Sequence, residues 1–407
     1  MSFNIKKSFL SAGLVFIAFA SAKGQNITKD QILGQVNTIT TAVPFLQISP
    51  DARAGGMGDF GVASTPDMNS IHWNASKLAF IEKSGGFSVS YTPWLRALVN
   101  DINLAYLSGY KKLKNDQTIA GSLRYFSLGN IDFTDENAVR YATFNPNEWA
   151  LDFAYARKLG ENLSGGLALR YIYSNLTGGV AIQNGTISTH AGTSVAADVS
   201  VYYQKEIEVS KKKSLLAFGT NISNIGSKVS YSDNSQRKDF IPTNFRLGSN
   251  LKMELDQYNS FAFGIDINKL LVPTPPVYQT DSVTGLKTIA YGKDPTNVSP
   301  ASALFSSWSD APGGFKEEIK EFTYSIGTEY WYDKQFAIRA GYFHEASTKG
   351  NRKFFTIGAG LRYNVFGLDF AYLIPTTQRN PLENTLRFTL LFDFDGVKGS
   401  DSEKTTE

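Results

Sequence analysis

The sequence predicts an all-β fold, a 14-stranded antiparallel transmembrane β-barrel with a small N-terminal hatch in the lumen. Three observations predict it. From Phe87 onward the chain runs in period-2 segments of about ten residues, the length that a strand tilted across a bilayer needs. The connections alternate, short after even-numbered segments and mostly long after odd-numbered ones. And no apolar run beyond the N-terminus comes near the roughly 18 residues of a transmembrane helix.

The N-terminus reads as an export signal. Lys6 and Lys7 form a short positive region, Phe9 to Phe19 is an apolar run of 11 residues, and Ala20-Ser21-Ala22 is a small-x-small cleavage pattern. Eleven residues are too few to cross a ~30 Å hydrocarbon layer as a helix, so residues 1–22 are expected to be a removed signal peptide rather than an anchor. Residues 23–85 are expected to form the hatch. Within them the stretch 45–80 is too broken by Gly and Pro to be a strand and precedes the barrel. Its candidate plug residues are Arg53, Gly55, Gly56, Gly58, Asp59 and Asn74. Gly56-Met57-Gly58-Asp59-Phe60-Gly61 matches G-x-G-x-x-G, but a dinucleotide site needs a strand before it and a βαβ unit around it. Pro50 precedes and Thr65-Pro66 follows, so the glycines are expected to serve a tight backbone turn.

The barrel is expected over 86–395. Its segments lie near 86–92, 101–111, 117–127, 147–157, 163–173, 193–204, 214–223, 243–253, 259–269, 320–332, 335–344, 353–363, 366–374 and 385–394. In one of them Trp149, Leu151, Phe153 and Tyr155 alternate with Ala150, Asp152, Ala154 and Ala156. In another Phe261, Phe263, Ile265 and Ile267 alternate with Ala262, Gly264, Asp266 and Asn268. Residues 396–407 are expected to be a polar periplasmic tail. Alternation alone leaves open which face meets lipid, since a soluble sandwich would bury the bulky face. The Gly- and Ala-rich polar face suits a plugged lumen. Aromatic residues, 13% of the chain, gather near strand ends as in interfacial girdles.

Chemistry is sparse. A net charge of +3 excludes the basic footprint of a nucleic-acid binder. There is no cysteine, and His72, His190 and His344 have no metal-like spacing to a second ligand. No nucleophile-elbow motif occurs, so neither a catalytic residue, a metal nor a cofactor is expected. The inward charges Asp152, Arg170, Asp198, Arg246, Glu329, Arg339 and Arg362 are expected to pair with one another and with the plug. The first surface loop, Thr92 to Asn100, carries Trp94, Leu95, Leu98 and Val99. Two readings stand: a contact surface for a partner, or a lid packed over the barrel's own mouth.

The run ITTAVPFLQISPDARAGGMGDFGVAS, then HWNASKLAF, GFSVSYTPWLRALVNDINLAYLSGYKKL and SLRYFSLGNIDFTD, resembles the PorV family of Bacteroidota type IX secretion barrels. That family is itself similar to the FadL fatty-acid transporters. The resemblance is specific over roughly residues 37–135, with Ala75 standing where the family commonly has proline after Trp73-Asn74. It implies an outer-membrane barrel that contacts outer-membrane lipid and lipopolysaccharide. It further implies binding of the C-terminal domains of secreted cargo at the lateral opening of the SprA (Sov) translocon barrel, and delivery to the PorU-containing attachment complex. Two other roles are attached to the resemblance: FadL-like transport of hydrophobic small molecules, and lipopolysaccharide deacylation. Transport would need a lateral opening, for which Ser164-Gly165-Gly166 is the candidate kink. Deacylation finds no Ser-His-Asp or metal set in the sequence.

Overall fold

A computed structural model describes residues 32, 34–134, 137–178, 189–232, 238–281, 285–377 and 380–394. The expected signal peptide and polar tail lie outside these residues. Among the described residues, fourteen strands close into one barrel. They are β1 (Gly85–Pro93), β2 (Ile102–Lys112), β3 (Gln117–Leu128), β4 (Asn147–Lys158), β5 (Leu163–Asn175), β6 (Gly192–Val209) and β7 (Lys212–Gly226). Then follow β8 (Asn244–Glu254), β9 (Asn259–Leu270), β10 (Thr323–Tyr332), β11 (Phe336–His344), β12 (Lys353–Tyr363), β13 (Phe366–Pro375) and β14 (Leu386–Phe394). Each pairs antiparallel with its predecessor, and β1 closes on β14 from Gly85↔Phe394 to Tyr91↔Phe388. At that seam Phe87 stacks on Phe392 with ring centroids 4.6 Å apart, and Phe366 meets Phe392 edge-on at 5.2 Å.

The barrel settles the question of faces. Phe153 is 63% exposed on the outside while its neighbour Asp152 is 1% exposed on the inside. The same holds for Leu151 and Tyr155 against Ala150, Ala154 and Ala156. A bulky apolar exterior around a buried polar interior is stable only where the exterior meets lipid. The barrel is therefore an outer-membrane one. Its short turns mark the periplasmic rim; Ser210 and Lys211, both at positive φ, reverse the chain between β6 and β7 in two residues.

The long connections carry structure of their own. Ile131–Thr134 pairs with Arg140–Phe144 and Val277–Thr280 with Lys287–Tyr291, each a small hairpin on the extracellular side. The connection between β9 and β10 also holds two short helices, Pro300–Ser306 and Phe315–Lys320, so the strand expected from 320 begins only at Thr323. Ser299 caps the first, its Oγ accepting from Ser302 N at 3.1 Å, with Pro300 in the first turn. The kink that transport would need is not found at Ser164-Gly165-Gly166. These residues keep regular register with both β4 and β6, and Gly166 instead makes room for the hatch, since a Cβ there would lie 2.5 Å from Ser76 N. The wall is irregular between β6 and β7, where a bulge separates Ala197 from Val199 and Asn224 sits at positive φ.

The N-terminal segment fills the lumen. Ile71, Leu78 and Ile81 pack against Tyr106, Tyr110 and Leu391 of the wall. Nearer the extracellular end, Val43, Phe45 and Leu46 pack against Leu104, Phe126 and Ile172.

Candidate functional site

The hatch is held by ion pairs across the lumen. Arg53, in the short helix Ala52–Gly55, donates from Nε and Nη2 to Glu329 of β10 at 2.9 and 2.8 Å, and from Nη1 to Asp67 at 2.8 Å. Glu329 also accepts from Arg339 Nε at 2.8 Å; Arg339 reaches Asp369 at 2.9 Å, and Asp369 takes Arg362 at 2.7 Å. Opposite charges alternate along this chain, which is how buried ions offset their desolvation. Burial alone would raise the Asp67 carboxyl, but Arg53 and Lys77 outweigh it and hold it below its ordinary value. Asp59 pairs with Arg387 of β14 at 2.9 Å. On the opposite wall Arg170 bridges Asp152 at 2.5 Å and Asp198 at 3.2 Å. Arg246 lies over the Trp73 ring at 5.0 Å.

The remaining plug candidates act through the backbone. Gly58 has φ +69°, and a Cβ on Gly55 would fall 2.4 Å from Arg387 Nη1. Gly56 faces Gly358 of β12, whose Cα would lie 3.1 Å from an added Cβ. Asn74 accepts from Ser76 N at 3.1 Å to cap Ala75–Phe80, and donates to Val62 O at 3.0 Å and Val201 O of β6 at 3.1 Å. Asp51 caps Ala52–Gly55, accepting from Ala54 N at 2.9 Å and Trp73 Nε1 at 2.7 Å. Burial, then repulsion from Asp67, push its carboxyl up to about 6. His72 sits with Nδ1 2.6 Å from Arg124 Nη2, and burial followed by that guanidinium hold it well below its ordinary value. It is a neutral acceptor for a buried arginine.

Above the hatch lies a cavity of about 300 Å³ open to the extracellular mouth. Its walls are drawn from many separate stretches, among them Thr38 to Ser49, Trp94, the top of β9 with Lys269, Glu321, the β11–β12 region with Phe343 and Phe354, and Leu373 and Leu382. The first loop divides in two. Trp94 and Leu95 pack inward against Phe343, Phe354, Leu373 and Leu382. Leu98 and Val99 face outward, 64% and 42% exposed. Leu98 N and Val99 N both bond to Leu95 O, and Leu95 itself is at positive φ. Residues 37–49 at the mouth were not foreseen. Asn37 bonds to Pro275 O at 3.1 Å and Glu317 at 3.0 Å, so the hatch begins under the surface loops. The apolar run Ala42-Val43-Pro44-Phe45-Leu46 was the available signal.

A family model described as Type IX secretion system protein PorV matches residues 31–277. None of the curated proteins matches the chain. Among solved structures it is similar to the TodX deltaS2S3 mutant monoaromatic hydrocarbon channel, at 12% identity and TM-score 0.49, over 85% of this chain and 98% of that one. It is similar to the Ralstonia pickettii toluene transporter TbuX, at 10% identity and TM-score 0.47, over 86% and 98%. A Pseudomonas aeruginosa FadL homologue matches at 11% identity and TM-score 0.40, over 88% and 99%.

Proposed function

This chain belongs to the PorV family of type IX secretion system proteins, and from that membership we propose that it is a non-enzymatic, partner-binding barrel of protein export. In this reading it binds the C-terminal domains of secreted cargo at the lateral opening of the SprA (Sov) translocon and passes them to the PorU-containing attachment complex. The observation that carries it is the division of the first loop. Trp94 and Leu95 anchor the loop to the mouth, which leaves Leu98 and Val99 presented outward on a fixed support. Covering one Leu or Val is worth about 1.5–3 kcal/mol, enough for a pair to anchor a partner. The hatch, bonded to the wall on several sides, favours a carrier over an open pore.

The test is a Leu98→Asp, Val99→Asp double variant. It should reach the outer membrane folded, co-purify poorly with the translocon and secrete less cargo. Normal co-purification and secretion would move the contact away from this loop. The mouth cavity gives a second reading some support, because about 300 Å³ lined by Trp94, Phe343, Phe354 and Leu373 is the size of a small-molecule site. A barrel that retains hydrophobic small molecules, but no secreted C-terminal domain, in a pull-down would favour FadL-like transport.

A further inference from the structure

Where the 270–319 connection returns to the barrel, carboxylates outnumber the cations that face them. Lys269 Nζ, at the top of β9, donates to Glu318 at 2.8 Å and Glu321 at 2.6 Å. Lys349, from the β11–β12 loop, reaches Glu317 at 2.7 Å and Glu321 at 2.9 Å. Asp310 completes the group, so four carboxylates meet two ammoniums, and all six residues are buried. Asp310 is only 7% exposed; its Oδ2 accepts from Thr274 N at 3.3 Å, while its Oδ1 meets no donor among the described residues. One oxygen each from Asp310, Glu318 and Glu321 lie within 4.8 Å of one another. Buried carboxylates gathered this closely suit calcium, which takes protein oxygens at about 2.3–2.6 Å, whereas magnesium usually keeps several waters.

We propose that Asp310, Glu318 and Glu321 bind a calcium-sized divalent cation at the extracellular mouth. Two positive charges balance the two carboxylates left over, and the ion supplies the partner that Asp310 Oδ1 lacks. The cation ties Asp310 to the loop helix Phe315–Lys320 and to Glu321, whose ammonium partners Lys269 and Lys349 belong to the end of β9 and to the β11–β12 loop. Lys269, Glu321 and Lys349 line the mouth cavity, so the ion sets one of its walls.

Terbium is a direct probe, because Trp308 lies 6.0 Å from the Lys269 ammonium that touches both glutamates and can sensitise its emission. In the full-length barrel, purified in detergent and stripped with chelator, emission should saturate at about one ion per barrel and be displaced by calcium. Asp310→Asn should weaken terbium at least tenfold while the barrel stays heat-modifiable; if that variant does not fold, Glu318→Gln is read in its place. Trp308→Phe should lose emission yet keep calcium protection of the 270–319 connection against trypsin. Emission that calcium does not displace, or equal terbium affinity in wild type and the carboxamide variant, overturns the proposal. So does a wild-type barrel that gives neither sensitised emission nor calcium protection.

Discussion

Gly58 concentrates the constraint on the hatch into one residue. Its φ of +69° disfavours any side chain, and a Cβ would lie 2.6 Å from Tyr342 N of β11. Its own N–H donates to Thr356 Oγ1 of β12 at 2.8 Å. Gly58→Val must therefore push the hatch off two strands at once, and dye leakage through the outer membrane should rise; wild-type leakage with unchanged folding yield would count against a sealing role. That this G-x-G-x-x-G run is a turn was legible from Pro50 and Thr65-Pro66. That it turns against residues almost 300 positions later was not, because no local pattern encodes a partner so distant. Lys77 gives a pH-dependent counterpart. Its ammonium donates to Gly61 O at 2.6 Å and Ser64 Oγ at 2.9 Å, and burial, only partly offset by Asp67, lowers it from 10.5 to about 8. A cation whose folded value is depressed contributes stability above its unfolded value and loses it as pH falls through the folded value. Hatch stability should accordingly fall between pH 10.5 and 8, by roughly 3 kcal/mol over the full window. Lys77→Met should flatten that dependence in denaturant titrations; an unchanged slope would show that another group sets it.

At the scale of elements, what was legible is what repeats. All fourteen strands were readable because each must face lipid on one side and the lumen on the other, and that requirement writes a period of two into about ten residues. The loop elements answer to no such requirement. Phe315–Lys320 is six residues long, and its Glu317 and Glu318 point into a charge cluster rather than along an apolar stripe. Pro300–Ser306 did carry a signal, a serine cap followed by proline, within a connection otherwise without period. The mouth was illegible because many stretches distant in the chain build it. For the first loop the sequence left lid and contact surface both standing; in the structure Trp94 and Leu95 pack inward, and Leu98 and Val99 are exposed. Trp94→Ala with Leu95→Ala should free the loop from Phe343 and Phe354, costing about 2–3 kcal/mol of local docking, since Trp94 is only half-buried and a fully buried one costs about 3–5. Hydrogen exchange across 92–100 should speed up while the barrel strands stay protected. Unchanged exchange would mean that backbone bonds such as Trp94 N to Ile102 O hold the loop unaided.

For the whole molecule the governing fact is that its solvent is different on its two sides. Outside, lipid accepts the bulky residues of every strand; inside, the hatch replaces water for Asp152, Arg170, Glu329 and Arg339, each buried and paired. Neighbouring positions of one strand must then respond oppositely to polarity. Phe263 lies mid-strand in β9, 47% exposed, between Leu251 and Thr328. Ala262, one residue earlier, points into the lumen opposite Glu329, beside Arg53 and Ser64. Phe263→Arg should cost roughly 2–4 kcal/mol in a refolding titration into phospholipid vesicles, the penalty of a guanidinium near the bilayer middle. Ala262→Ser should be nearly silent, because its hydroxyl enters a region already furnished with donors and acceptors. The pair also separates lipid exposure from mere packing. In short-chain detergent, which lets water reach the barrel surface, the arginine penalty should shrink, whereas a penalty due to lost side-chain packing would persist. An arginine that costs the same in both media would mean that Phe263 does not face the bilayer.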